Sequence, residues 1–173
     1  MSPPDPAGRL AHDLLDCLDA RLALHDVPVC RSFLYSGASV SWDVCGRASD
    51  GSEGQAWVAV QSVTPTDAFP SPAPPHRCPP AEYAAEMIVG LLRCAATVDD
   101  QGRPPDPAAL TDEFDRVGRD RAILREAILC CLADDLEPGE WQLGSWTPLG
   151  PQGGCVGGQQ VVTVRAPACR CSE

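Results

Sequence analysis

The sequence predicts a single-domain α+β fold: a mixed, mostly antiparallel sheet with an N-terminal helix and two further helices packed on it. Three observations carry this expectation. A helical stripe of leucines opens the chain, runs rich in Val, Phe, Tyr and Trp follow it, and strongly helical segments precede two final strand-like runs. With 173 residues the chain is long enough to bury one core, so residues 1–173 are expected to form one domain.

The first helix is read over residues 5–24. Leu10, Leu14, Leu18 and Leu22 recur every fourth residue with Leu15 beside them, which makes one buried stripe. Asp13, Asp16 and Asp19 take the wet face. Asp5 is placed to cap the helix, and Pro6 suits its first turn.

Short strands are expected at 28–37 (PVCRSFLYSG) and 39–46 (SVSWDVCG), with a polar turn over 47–54. In QAWVAVQSV, residues 55–63, Trp57, Ala59, Gln61 and Val63 share one face, while Ala56, Val58 and Val60 share the other. Both faces are largely apolar, so this strand should be central. Seven prolines among residues 64–80 then predict an extended arm, either a linker or a segment packing on a neighbour, the reading preferred here.

Residues 81–94 read as a helix, because Ala84, Met87, Ile88, Leu91, Leu92 and Ala95 follow helical spacing. A longer helix is expected over 107–136, with Leu110, Phe114, Val117, Leu124, Ile128 and Cys131 along its buried side and Glu137-Pro138-Gly139 stopping it. The closing runs EWQLGSW and QQVVTVRA predict a hairpin whose loop is the glycine-rich stretch 144–158. Trp141 and Trp146 should be substantially buried at its base, on opposite faces of a regular strand, with Trp146 marking the strand's end. Residues 1–4 and 166–173 are read as flexible termini.

Composition narrows function. A net charge of −11 disfavours a surface that wraps nucleic acid, and leaves open a channel through which DNA slides without sticking. The opening MSPPDPAGRL has no apolar signal region, and no apolar run approaches the ~18 residues of a membrane span. Ten cysteines fall short of a disulfide scaffold, so reduced thiols, or pairs oxidised after release from the cell, are expected.

Catalytic patterns are missing from the sequence. GPQGGCVGG lacks the lysine of a phosphate loop, and GSW is no nucleophile elbow. Zinc would need paired ligands. Cys130 and Cys131 diverge by ~100° on a helix, which leaves Cys169 and Cys171 or a pooled site using Cys45, Cys78 or Cys155. His12, His25 and His76 are read as surface residues, and the pairs Asp99-Asp100 and Asp134-Asp135 as solvated acids. No cofactor and no enzymatic activity are expected.

Several strings together resemble a known family: QAWVAVQSVTPTDAFPSP, EMIVGLLRCAATVDDQGRPP, LREAILCCL and above all GSWTPLGPQGGCVGGQQVVTV. Over residues 29–164 the chain resembles a small head-to-tail connection protein of actinobacterial long-tailed phages, similar to tail terminator (tail completion) and neck proteins. That resemblance implies a mixed sheet with helices on one side and a six-membered ring. The ring would cap the tail tube and join it to the head, in a virion assembled in the host cytoplasm. It also implies the tail tube protein and head-side connector proteins as partners, with viral DNA passing through the lumen. No membrane is involved on this reading. An adaptor or stopper storey of the connector is a variant of it, and a cysteine-rich zinc-binding regulatory module is the competing class. Candidate ring contacts are Phe69, Pro70 and Pro72 on the arm, with Trp146, Pro148, Leu149, Pro151 and Cys155 on the hairpin.

Overall fold

The computed structural model describes residues 5–37, 40, 49, 52–72 and 82–167. Their elements run α1 (Pro6–Leu24), β1 (Arg31–Tyr35), β2 (Gln55–Thr66), β3 (Glu82–Cys94), α2 (Pro107–Asp135), β4 (Trp141–Gln152) and β5 (Cys155–Pro167). One five-stranded sheet has the order β1-β2-β3-β5-β4, with β1 parallel to β2 and every other pair antiparallel. The chain is thus an α+β fold with two helices on a mixed sheet. Apart from Val40, the strand expected at 39–46 lies outside the described residues, as do the arm beyond residue 72 and half of the 47–54 turn.

Helix α1 forms as its sequence dictates. Asp5 accepts hydrogen bonds from the backbone N–H groups of Ala7 and Gly8 at 3.4 and 3.2 Å, and Pro6 occupies the first turn. Ala7, Ala11, Leu14, Leu18 and Leu22 are buried. Asp19, expected on the wet face, instead accepts a 2.9 Å hydrogen bond from Ser32 Oγ and so ties α1 to β1. Asp5→Ala should lower stability by ~1 kcal/mol, read as a lower urea midpoint with an unchanged slope. An unmoved midpoint would show that the cap contributes nothing here.

Three expectations are corrected. Residues 82–94 are not a helix but β3, the central strand, bonded to β2 on one side and β5 on the other. Its odd-numbered residues Ala85, Met87, Val89 and Leu91 join Ala56, Val58, Val162 and Val164 beneath the two helices. Its Leu92 joins Trp57, Ala59 and Cys155 on the opposite face. A strand covered on both faces needs apolar residues everywhere, and such a run contains helical spacing by default. So the described residues form two helices, not three.

Second, the arm begins later than expected. Thr64, Pro65 and Thr66 still belong to β2, paired with Ala84, Tyr83 and Glu82. A bulge at Gln61 shifts the register between Val60 and Ser62, so the face alternation expected through Val63 holds only up to Val60. A turn follows in which Thr66 Oγ1 donates to the Ser71 carbonyl at 2.7 Å.

Third, the glycine-rich stretch is strand. β4 and β5 extend through it and leave Gly153-Gly154 as a two-residue turn, both glycines at positive φ. Residues 155–158 therefore belong to an interior strand rather than a loop. Ala166 is buried in β5 and Pro167 ends it, so the flexible C-terminus cannot start at 166.

Tryptophan over glycine recurs in the sheet. Trp57, 2 % exposed, lies over Gly90 on the neighbouring strand, where a Cβ would fall inside the indole. Trp146 covers Gly158 in the same way. In both places the missing side chain is what lets the ring lie flat on the sheet.

Candidate interaction groove

The site is built by the way α2 docks. Arg93, near the end of β3, makes a two-pronged ion pair with Asp120: Nε to Oδ2 at 2.7 Å and Nη2 to Oδ1 at 3.1 Å. Arg116, one turn earlier on α2, donates to Glu53 at 2.9 Å and to the Cys94 carbonyl at 2.9 Å. Arg93, Asp120 and Glu53 are all under a tenth exposed, so these charges must be paired to be tolerated. The network pins the middle of α2 to the end of the sheet.

C-terminal to that pin, Ile123, Leu124, Ala127, Ile128, Cys131 and Leu132 enter the core. N-terminal to it the helix overhangs, and Leu110 and Phe114, expected on the buried side, are 46 % and 77 % exposed. Between the overhang and the hairpin runs an apolar groove of about 430 Å³. Leu110, Phe114 and Val117 form one wall, and Trp146, Pro148 and Leu149 the other. Arg121 reaches over the Trp146 ring, 5.4 Å from its centroid, and joins the walls at one end.

A bulge between Leu143 and Trp146 creates the hairpin wall. In a regular strand, residues five apart face opposite ways; the extra residue turns Trp141 and Trp146 toward the same side. Trp141 then packs on the main core while Trp146 meets α2, both half-buried. Trp146 does not mark the strand's end, because β4 continues to Gln152.

The candidate contact residues separate into groups. Trp146, Pro148 and Leu149 converge on the groove, with exposed Pro151 just beyond them. Cys155 does not belong there: it is fully buried against Trp57 and Leu92 and is disulfide-bonded, so it is a core residue. Phe69, Pro70 and Pro72 sit on the turn after β2, where Phe69 packs under Arg165 at 5.4 Å. Arg165 lies eight residues along β5 from Gly157 at the groove, roughly 25 Å away. The arm and the hairpin thus present separate surfaces.

On the other side of α2 an open cleft of about 920 Å³ carries Glu53, Asp112, Glu113, Asp115, Arg116 and Arg119. Glu53 already holds Arg116, and Glu113 accepts the Ala96 N–H. In the loop leading to α2, the Arg103 backbone N–H, its guanidinium and the Gln101 N–H hold the Asp99 carboxyl below its usual range. A lowered value means this contribution is present above the ordinary carboxylate range and is lost as pH falls through the lowered value.

Among the described residues no cluster of three His, Cys, Asp or Glu side chains could hold a metal ion, and no helix is long and apolar enough to cross a membrane. Cys45, Cys78, Cys169, Cys171 and His76 lie outside the described residues. His12 is exposed, and His25 pairs with Glu126 at 2.7 Å. The acidic network around Arg93 and the overhang of α2 were invisible in the sequence, because both depend on which strand end the helix crosses. No family model matches the chain, and neither does any curated protein.

Proposed function

We propose that the chain is a structural subunit of a long-tailed phage virion, forming a ring at the head–tail junction that ends the tail tube and joins it to the head. The observation that carries this reading is the resemblance over residues 29–164, above all in the run 144–164. A helix-backed mixed sheet is the architecture that resemblance implies, and the run itself supplies β4, β5 and one wall of the groove. The groove is read as the contact for a neighbouring subunit in a closed ring of six. Its exposed Phe114 is a large apolar side chain with no buried role in the single chain.

Symmetry tests this reading. Averages of virions carrying the chain should show a six-fold layer of its density at the neck, and density lacking rotational symmetry there would refute it. Phe114→Ser should leave the isolated chain within ~0.5 kcal/mol of wild type, as exposed positions do, while heads and tails stay unjoined. Normal particle yield from that variant would remove the groove from the contact. Deleting residues 153–158 is no test, since it would cut into the interior strand β5.

A further inference from the structure

We propose that Cys17–Cys131 is an oxidation-set staple across the two-helix layer, closed on an already folded chain by a disulfide oxidant of the glutathione class. The bond joins α1 to α2 across 114 residues of sequence, with the two Cα atoms 5.9 Å apart. That separation lies within the ~4.4–6.8 Å span of bridged pairs, so the backbone holds the two residues at bridging distance.

The layer is held without it. Leu14 and Leu18 of α1 share one core with Leu124, Ile128 and Leu132 of α2, and Arg21 donates to Glu126 between the same helices at 3.1 Å. Reduced, Cys17 and Cys131 act as two small apolar side chains within that contact. The choice of Cys131 over Cys130 is geometric, because the ~100° helical step turns Cys130 away from α1.

Exposure sets the order of events. Cys131 is 6 % exposed whereas Cys17 is half-buried, so the first attack comes from Cys17. Its thiolate displaces one reduced glutathione from the oxidised dimer and leaves a mixed disulfide. The Cys131 thiolate then displaces the second glutathione and forms the protein disulfide. Two thiols lose two electrons, the oxidant gains them, and the two protons leave with the released thiols. Closure restrains the unfolded chain far more than the folded one. The inference stands on the helix contact and does not depend on the assembly reading.

The test uses the full chain, purified reduced and then treated with oxidised glutathione. Peptide mapping without reductant should find Cys17 joined to Cys131. The oxidised chain should melt about 10 °C above an equally oxidised Cys17→Ser chain, which keeps the bond at Cys155, the shift expected of so long a loop at this size. Oxidised Cys130→Ser should melt with the oxidised wild type. Three results would overturn the staple: a Cys17 that stays a thiol or bonds elsewhere, an oxidised Cys17→Ser chain that is unfolded, or one that melts with the wild type. Mapping of the wild-type chain decides the question even if a variant fails to fold.

Discussion

Trp57→Ala is expected to lower the unfolding free energy by ~3–5 kcal/mol, the largest effect among the four tryptophans. The indole is 2 % exposed and lies over Gly90 between β2 and β3, packed with Ala59, Leu92 and Cys155. Its removal opens a cavity on the face of the sheet away from the helices, and Gly90 has no side chain to collapse into it. Gly90→Val probes the same contact from below, because the new Cβ would enter the ring and displace it. Urea unfolding of both variants gives the measurement. Trp57→Ala with a wild-type midpoint would mean that this second cluster does not stabilise the sheet.

Arg93→Ala should cost a similar ~3–5 kcal/mol by a different route. It leaves Asp120 as a buried carboxylate without its two-pronged partner and takes one cation away from Glu53. Replacing both partners by apolar residues, Arg93→Met with Asp120→Leu, should recover most of that loss, since the pair then leaves no buried charge behind and Glu53 keeps Arg116. The double variant keeps α2 packed but removes the charge-directed register of the pin. A single variant as stable as wild type would show that water reaches the pair and that it does not position the helix.

Much of the local structure could be read directly. The four-residue leucine spacing and Asp5-Pro6 start of α1, and the apolar spacing and Glu137-Pro138-Gly139 stop of α2, are local signals, and they place α1 and α2 to within a residue. Strand β3 shows where such reading stops. Glu82–Cys94 contains helical spacing and also strict alternation through Tyr83, Ala85, Met87, Val89 and Leu91. Both patterns are present because almost every position is apolar, and only the number of covered faces separates them. Gly90 was the one available hint, since glycine inside a strand often marks the close approach of another group.

The groove was half legible. Trp146, Pro148 and Leu149 were placed together by chain proximity, but their true partners, Leu110 and Phe114, looked like core residues of an amphipathic helix. Periodicity identifies the apolar stripe of a helix without saying how much of its length lies over the sheet. Likewise, glycines in a row suggested a loop because glycine permits turns; here Gly158 is required by the Trp146 ring from the adjacent strand.

By itself, then, the sequence determined the fold class, the two helices with the cap of the first, and the existence of strands β1, β2 and β5. All of these follow from residues within a turn or two of one another. The tertiary structure alone decided that β3 is a central strand, where α2 is pinned, which part of it overhangs, and that Cys131 rather than Cys130 meets Cys17. Each of those depends on contacts between residues far apart in the chain, such as Arg93 with Asp120 or Trp57 with Gly90. Burial is a property of what covers a residue, and a local pattern does not contain the cover.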